Sequence, residues 1–211
     1  MTPPNRMPIE GLKPKDMVGI PWRVAFALQA AGWYLRSDVI WAKAHEFCPG
    51  QVGSTMPLGG KKADRPTPAH EYLFLLTKSE TYYYDDKAVE QQGVYPAGTR
   101  AAKGSATREG NRRSQSEYAV YSGKRRLRDV WFISTGLFTK DHFATFPLKL
   151  VEPCVLAGSR PGDLIFDPFI GSGTTGAVAE RLMRRWVGTD LSYQHLARER
   201  TAQRGLREVT A

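Results

Sequence analysis

Helical and extended hydrophobic patterns alternate along this chain. Apolar residues at helical spacing predict a helix over residues 18–31, which Gly32 ends. Three further helices are predicted over residues 147–157, 174–183 and 192–204. Short runs of β-branched and aromatic residues predict strands at residues 33–41, 71–77, 129–133, 164–166 and 185–189. The 211 residues are enough for one α/β domain with a hydrophobic core.

The segments between these elements differ in character. Residues 1–14 are rich in proline and polar residues and are interpreted as a lead-in. Residues 44–68 are rich in glycine and proline, which predicts a long loop. The tyrosines of residues 81–84 are expected to form a hairpin with the 71–77 strand. The apolar run at residues 164–166 is of the kind that forms a buried parallel strand.

The positive charge of the chain is concentrated in one segment. The formal net charge is +9, and residues 96–128 contain nine Lys or Arg against two Glu, so that the remainder is nearly neutral. Such a balance favours a polyanionic partner. We therefore divide the chain into a lead-in (1–14), an α/β domain (15–95 and 129–211) and a basic insert (96–128).

The cysteines and the hydropathy of the chain indicate a cytoplasmic protein. Cys48 and Cys154 lack the spacing of a metal site and are interpreted as free thiols in a reducing compartment. The sequence shows no signal peptide pattern and no apolar run of membrane-spanning length. No metal ligands are predicted.

The turn that follows the 164–166 run is the strongest candidate for a ligand site. Asp167 comes directly after the predicted strand, and open α/β sheets bind ligands at the carboxyl ends of their strands. Gly171 and Gly173 predict a turn without side-chain bulk, which a ligand can approach closely. The N-terminal N–H groups of the following helix would face that ligand. These features predict a site for a small molecule.

Three kinds of ligand compete for this turn. A nucleoside triphosphate would require Gly-Lys-Ser/Thr, but Gly173 is followed by Thr174. Residues 171–176 match the GxGxxG pattern of NAD-binding turns, and Asp190, 19 residues after Gly171, suits ribose hydroxyls. However, Asp167 would repel a pyrophosphate and attract an ammonium or sulfonium group. S-adenosylmethionine (AdoMet) is therefore favoured over NAD.

Residues 167–174 (DPFIGSGT) resemble the AdoMet-binding motif of the DNA amino-methyltransferases, which methylate N4 of cytosine or N6 of adenine. Residues 142–147 (HFATFP) resemble the segment that precedes this motif in the β-type arrangement of that family. The resemblance extends over nearly the whole chain, in the family's order, through residues 11–16, 20–23, 32–36, 64–67 and 70–78. It implies a Rossmann-like methyltransferase sheet with a circularly permuted motif order.

The resemblance also implies a set of cofactor-binding residues. Asp167 and residues 171–175 would surround the methionine part of AdoMet, Asp190 would hold the ribose hydroxyls, and Phe146 would pack against the cofactor. Taken singly, these residues have other readings: a strand-to-helix turn, a capping carboxylate and a core phenylalanine. The full set is Phe146, Asp167, Phe169, Gly171, Ser172, Gly173, Thr174, Thr175 and Asp190.

The catalytic loop of that family does not occur in this sequence. The family holds the flipped base with a (Ser/Asp/Asn)-Pro-Pro-(Tyr/Phe/Trp) loop, and no such tetrapeptide is present. Thr2-Pro3-Pro4-Asn5 is the nearest match, and it lacks the aromatic residue and a preceding strand. No catalytic residue is therefore assigned. We expect the chain to be the C-terminal part of a methyltransferase, incomplete at its N-terminus, or half of a split enzyme with a separate N-terminal polypeptide.

The basic insert lies where the family order places target recognition. Arginine can contact phosphates and read guanine edges, so that double-stranded DNA is the expected partner. The candidate DNA-binding residues are Arg100, Lys103, Arg108, Arg112, Arg113, Lys124, Arg125, Arg126 and Arg128. Two alternatives remain open: a non-catalytic remnant that binds DNA or AdoMet, and an NAD-dependent oxidoreductase.

Overall fold

The computed structural model describes residues 11–13, 15–45, 48–52, 66, 68–102, 118–135, 146–192 and 194–202. Within these ranges the helices are α1 (Ile20–Ala30), α2 (Leu148–Gly158), α3 (Thr174–Arg181) and α4 (Gln194–Ala202). The strands are β1 (Tyr34–Ala42), β2 (Ala44–His45), β3 (Cys48–Val52), β4 (His70–Thr77), β5 (Gln91–Gln92), β6 (Arg100–Ala102), β7 (Tyr118–Val120), β8 (Lys124–Arg125), β9 (Val130–Phe132), β10 (Leu164–Asp167) and β11 (Arg185–Gly188).

A three-stranded sheet with β1 at its centre forms the first half of the fold. β1 pairs antiparallel with β4 along its whole length and parallel with β9 near its carboxyl end. α1 covers one face, where the ring of Trp22 lies 4.9 Å from that of Phe74. α2 covers the other face, since Leu150 clusters with Trp41 and the neighbouring Leu73. Successive residues of β4 thus serve opposite faces of the sheet.

The tryptophans of this core have satisfied hydrogen-bonding groups. The indole Nε1 of Trp41 donates to the Ile133 carbonyl at 2.7 Å, and that of Trp131 donates to the Arg128 carbonyl at 2.6 Å. Because an unpaired buried donor costs about 1–3 kcal/mol, these bonds let large indoles fill the core without that penalty. Phe146 packs against the same cluster, just before α2 begins.

The second half contains the parallel pair β10–β11, with α3 between the two strands in sequence. Gly176 lets α3 approach β11 closely, because a Cβ at this position would lie 2.9 Å from the Trp186 ring. Trp186 in turn donates a hydrogen bond of 2.7 Å to Glu180 of α3. α4 packs against α3.

α2 connects the two halves. Glu152 of α2 forms an ion pair of 2.9 Å with Arg181 of α3. The buried Arg184 donates to both the side chain and the carbonyl of Ser159, the residue that caps α2. A cation at the carboxyl end of a helix also interacts favourably with the helix dipole. The contact therefore fixes the end of α2 against the turn between α3 and β11.

Most of the predicted elements are confirmed, with small shifts at their ends. The 147–157 helix is α2, and the 174–183 helix is the shorter α3. The predicted 18–31 helix begins at Ile20, since Gly19 adopts a left-handed φ of 68°. The last predicted helix is α4, and residues 203 and 204 lie outside the described part. Within the described ranges, no helix is long and apolar enough to span a bilayer.

Two predicted loops contain short ladders. β2 and β3 pair within the predicted 44–68 loop, most of whose remaining residues lie outside the described part. In the basic insert β6 pairs with β7, and β8 pairs with β5, which precedes the insert. Backbone hydrogen bonds between short strands thus extend into segments that lack apolar periodicity.

Two other predictions were wrong. Residues 81–84 are not a strand, because β4 takes its partner from β1 and the tyrosine rings contact cations instead. The guanidinium of Arg36 lies over the ring of Tyr82. The Cζ atom of Arg160 lies 4.1 Å from the centre of the Tyr83 ring. The 164–166 run is parallel as predicted, but it is not buried: Leu164 is 55% exposed and Phe166 61%. α3 covers only the opposite face of this pair, where Ile165 lies.

Candidate cofactor site

The carboxyl ends of β10 and β11 form one edge of the parallel pair. β10 ends at Asp167 and β11 ends at Gly188. The Thr189 amide donates to the Asp167 carbonyl at 3.1 Å, and the Ile170 amide donates to the Thr189 carbonyl at 3.0 Å. These bonds hold the segment after β11 beside the glycine turn, at the sheet edge where ligands bind in open α/β folds.

Asp167 organises the turn that it precedes. Its Oδ1 accepts a hydrogen bond of 2.9 Å from the Phe169 amide, and its Oδ2 accepts one of 2.6 Å from the Thr175 hydroxyl. The carboxylate is half-buried and connects the end of β10 to the first turn of α3. Each carboxylate oxygen has two lone-pair sites, so Asp167 retains capacity for a cationic or hydrogen-bonding ligand.

Asp190 holds the glycine turn from the second strand. Its Oδ2 accepts a bond of 3.1 Å from the Gly171 amide, and its Oδ1 accepts one of 2.8 Å from the Ser192 amide. The two residues that are 19 positions apart in sequence are therefore in direct contact. The Gly171 amide is occupied by a carboxylate, so it does not offer a free donor to a phosphate.

The glycines have more than one structural role. Gly171 and Gly173 adopt positive φ angles of 52° and 81°, which L-residues adopt at a cost. A Cβ at Gly173 would lie 2.8 Å from the Cα of Ala197 in α4. Sequence reasoning explained this glycine by the approach of a ligand, whereas the structure shows a close approach of α4 on that side.

The predicted cofactor residues fall into buried and exposed groups. Ser172 and Thr174 are buried, at 4% and 3% exposure, and Phe169 is exposed at 84%. The structure thus brings residues 167–175 and Asp190 together at one sheet edge. Phe146 packs against the core cluster of Trp41, Trp131 and Leu150, so its contact with a cofactor stays a prediction.

Leu191 is a neighbour that sequence reasoning missed. It follows Asp190 directly and is fully exposed at the same sheet edge. The sequence signal that could have identified it is an apolar residue directly after the acidic residue that follows a predicted strand. Together with Phe169, it offers apolar surface on which a flat ring could pack, beside two carboxylates.

The residues of the basic insert occupy different environments. Arg100 is exposed in β6. The Nζ atom of Lys124 lies 3.6 Å from Oε2 of Glu90, and the Nε atom of Arg126 lies 3.7 Å from Oδ2 of Asp86. Exposed ion pairs of this kind are worth about 0–1 kcal/mol, so both cations remain exchangeable with phosphate. The other candidates Lys103, Arg108, Arg112 and Arg113 lie outside the described residues.

Arg125 and Arg128 border an open cleft beside β9. The cleft has a volume of about 790 Å³ and is also lined by Lys149 and Glu152 of α2. The buried Nε of Arg125 has no hydrogen-bond partner among the described residues. Asp129 also lines the cleft, so that three cations face two carboxylates, and the small excess of positive charge suits an anionic group.

A smaller cavity of about 260 Å³ lies between α2 and the three-stranded sheet. Cys154 borders it and keeps accessible surface there, while its thiol donates to the Leu150 carbonyl at 3.4 Å. Desolvation by the surrounding protein raises the pKa of the Cys154 thiol to about 11. The thiol is therefore neutral at physiological pH, which argues against a nucleophilic role.

The fold and the glycine turn define a mixed α/β protein with a candidate cofactor site at the carboxyl ends of parallel strands. The family model described as DNA methylase (N6/N4 methyltransferase) matches residues 5–200. The chain belongs to this family of DNA-methylating enzymes.

Curated relatives agree with this assignment. The chain is 45% identical over 187 residues to the type II methyltransferase M.Cfr9I of Citrobacter freundii, covering 89% of this chain and 50% of the relative. It is 43% identical over 198 residues to M.SmaI of Serratia marcescens, covering 92% and 56%. The chain thus spans about half the length of the curated relatives it matches.

Solved structures show the same fold at low sequence identity. The PvuII DNA methyltransferase, described as cytosine-N4-specific, superposes with a TM-score of 0.57 at 22% identity, over 92% of this chain and 62% of that one. The putative DNA modification methylase TTHA0409 of Thermus thermophilus, solved in complex with S-adenosyl-L-methionine, superposes with a TM-score of 0.52 at 21% identity, over 88% and 60%.

Proposed function

We propose that this chain is the AdoMet-binding portion of a site-specific DNA methyltransferase. The enzyme transfers a methyl group from AdoMet to N4 of cytosine or N6 of adenine. The observation that carries the proposal is the pair of carboxylates, Asp167 and Asp190, hydrogen-bonded to the glycine turn at the ends of two parallel strands. No catalytic residue of the transfer step is assigned within this chain.

The chemistry of the site fits AdoMet. Asp167 favours the positively charged ammonium and sulfonium groups, and Asp190 offers acceptors to ribose hydroxyls. Phe169 and Leu191 provide exposed apolar surface for an adenine ring. Residues 161–180 contain no Lys or Arg, so a pyrophosphate would meet negative charge without compensation. This composition favours AdoMet over NAD, and TTHA0409 is a neighbour of the same fold that was solved with AdoMet.

The base-binding loop is proposed to come from a segment outside this sequence. No (Ser/Asp/Asn)-Pro-Pro-aromatic tetrapeptide occurs here, and the chain spans half of M.Cfr9I. A flipped base requires stacking and a hydrogen bond at its amine, and we propose that the segment outside this sequence supplies both. The alternative, a non-catalytic remnant that binds AdoMet or DNA, is favoured by the same missing tetrapeptide.

DNA is proposed to bind along the basic insert, residues 96–128. The described part places Arg100 on an exposed strand and Arg125 and Arg128 at the cleft beside β9. Lys149 of α2 adds a cation to that cleft from outside the insert. These positions support contacts with phosphates, whose energy depends strongly on salt.

Calorimetric titration of the purified chain with AdoMet and with NAD tests the cofactor assignment. AdoMet should bind and NAD should not; tighter binding of NAD would contradict the proposal. Asp190→Asn should weaken AdoMet binding by about 10–100-fold, because a charged hydrogen bond is worth about 1.5–3 kcal/mol. The matched control Asp163→Asn removes a carboxylate at the opposite end of β10, where it accepts from the Arg160 amide, and should leave AdoMet binding unchanged.

A cofactor analogue separates direct contact from loss of the turn. S-adenosylhomocysteine and its 2′-deoxy form should differ in affinity for the wild-type chain. If Asp190 binds the ribose, that difference should shrink in Asp190→Asn. A methyl-transfer assay with DNA, with and without the half of M.Cfr9I that this chain does not match, then distinguishes the enzyme from the remnant.

A further inference from the structure

Most of the described residues of the basic insert form an antiparallel ribbon with the residues that precede the insert. β5 pairs with β8, and β6 pairs with β7. The Gly93 amide donates to the Gly123 carbonyl at 2.7 Å, which continues the β5–β8 ladder towards the second pair. Residues 91–102 and 118–125 are therefore one two-stranded structure, which we call the insert ribbon.

A bulge interrupts the insert ribbon near its middle. The Gly98 amide donates to the Tyr121 carbonyl at 2.9 Å, so that residues 94–97 lie opposite the single residue Ser122. Gly123 permits this arrangement, because its φ is 78° and an added Cβ would lie 2.9 Å from a backbone nitrogen of the bulge. Bulges re-aim the side chains that they carry. All four residues of this bulge are exposed.

The bulge presents an exposed aromatic pair. The ring centres of Tyr95 and Tyr121 lie 5.0 Å apart, and the two planes are tilted by 40°. Tyr95 is 52% exposed, and Val94 and Val120 are exposed beside the pair. We define the tyrosine platform as Val94, Tyr95, Val120 and Tyr121. Apolar side chains that cluster on a surface in this way mark an interaction site.

The surroundings of the tyrosine platform are strongly basic. Residues 91–100 and 120–128 contain no Asp or Glu and five cations: Arg100, Lys124, Arg125, Arg126 and Arg128. The carboxylates that face them are Asp129, Glu90 and Asp86, of which the last two form exposed ion pairs with Lys124 and Arg126. Such pairs exchange easily with phosphate. The excess of positive charge fits a polyanion, whereas the platform itself fits an apolar surface.

The spacing of two cations along the insert ribbon matches a groove of DNA. Val120, the register partner of Arg100, lies four positions before Lys124, which is about 13 Å along a strand. The major groove of DNA is about 12 Å wide and admits a two-stranded ribbon. Arg100 and Lys124 thus lie about one groove width apart, and Tyr95 and Tyr121 lie between them.

We propose that Tyr95 and Tyr121 lie against the base edges in the major groove of double-stranded DNA, while Arg100 and Lys124 contact the phosphates on either side. The proposal rests on the proposed function, which takes DNA as the partner of the basic insert. It adds an uncharged contact made partly by a residue that precedes the insert. Contacts with base edges carry sequence information, whereas phosphate contacts do not. Both tyrosines are therefore specificity-determining residues.

The salt dependence of DNA binding tests the proposal. Tyr95→Ser should weaken binding to a short DNA duplex by about 10- to 100-fold, because on the order of 100 Å² of ring surface would no longer be removed from water. The slope of log affinity against log salt should not change, since no charge is lost. Lys124→Gln should instead reduce that slope by about one.

Three further variants define what the contact requires. Tyr121→Ser should behave like Tyr95→Ser, because the two rings form one surface. Tyr95→Phe should bind like the wild type, because it keeps the ring. Tyr34→Ser is the matched control, since Tyr34 is an exposed tyrosine on β1, and it should also bind like the wild type.

Polyphosphate separates base contacts from charge contacts, because it is a polyanion without bases. Wild type and Tyr95→Ser should bind polyphosphate equally. The proposal is overturned if both tyrosine-to-serine variants bind DNA like the wild type, if they lose polyphosphate binding to the same extent as DNA binding, or if they reduce the salt slope. A dimer of the chain that Tyr95→Ser dissociates would also overturn it, because the platform would then bind a second copy.

Failure of this proposal can be told apart from failure of the proposed function. If the wild type binds DNA and the tyrosine variants bind it equally well, this proposal fails and the proposed function stands. If the wild type binds no DNA, the partner named in the proposed function fails as well. AdoMet titration accompanies each measurement, and the tyrosine variants should bind AdoMet like the wild type, because no residue of the platform belongs to the candidate cofactor site.

Discussion

Replacement of Gly173 by alanine tests whether this glycine serves the turn or the packing of α4. The residue has a φ of 81°, and its added Cβ would lie 2.8 Å from the Cα and 3.1 Å from the Cβ of Ala197. Both contacts involve atoms of α4 that cannot rotate away. The helix as a whole would have to move for alanine to fit.

Two matched glycines separate the energetic contributions. Gly162 has a similar φ of 87° but open space around its Cβ position, so Gly162→Ala should cost only the backbone strain of about 1–2 kcal/mol. Gly158 has open space and no positive φ, so Gly158→Ala should be neutral or stabilising by up to about 1 kcal/mol. Gly173→Ala should cost the strain plus about 1–3 kcal/mol of overpacking, about 2–5 kcal/mol together.

Urea denaturation of the three variants measures these costs. With a slope of about 1–3 kcal/mol per molar urea, Gly173→Ala should lower the midpoint by about 1–2 M or more, and Gly162→Ala by about half of that. AdoMet affinity should fall with Gly173→Ala, because α3 begins at the displaced turn. Equal costs for Gly173→Ala and Gly162→Ala would refute the reasoning, since α4 would then not limit the side chain.

Three further predictions concern single side chains. Arg184→Lys should destabilise the chain by about 1–3 kcal/mol, because the guanidinium bonds to Ser159 are lost; urea denaturation measures this, and the exposed Arg185→Lys is its control. Arg128→Gln should weaken DNA binding and reduce the slope of log affinity against log salt by about one; an unchanged slope would remove Arg128 from the interface. Burial raises the pKa of the Cys154 thiol to about 11, so iodoacetamide should modify it slowly at pH 8 and rapidly in urea. Since the folded pKa is raised, the stability from the neutral thiol is present below its ordinary pKa and is lost as pH rises towards 11.

The sequence was most informative where local chemistry decides local structure. The β-branched and aromatic runs predicted the five principal strands because such residues fit a pleated surface. Gly171 and Gly173 predicted a tight turn because positive φ angles favour glycine. Residues 81–84 are rich in β-formers too, yet Tyr82 and Tyr83 contact arginines, a choice that depends on residues distant in sequence.

The candidate site was only partly visible in the sequence. The spacing of Asp190 from Gly171 suggested a shared ligand, and the structure added a direct hydrogen bond between them. The contact of Gly173 with Ala197 could not be foreseen, because it requires the position of α4 on α3. Leu191 was missed for a similar reason: its exposure depends on how the segment after β11 lies beside the turn.

The sequence by itself determined the kind of elements, the glycine turn with its two carboxylates and the concentration of positive charge in residues 96–128, since these depend on residue type and spacing. Only the tertiary structure decided whether the side chains of Leu164 and Phe166 are buried. Their apolar run predicted burial, but burial depends on what covers the strand, and in this fold α3 covers one face only. Hydrophobicity determines which side chains are more stable away from water, whereas the arrangement of the other helices and strands decides whether those side chains are buried.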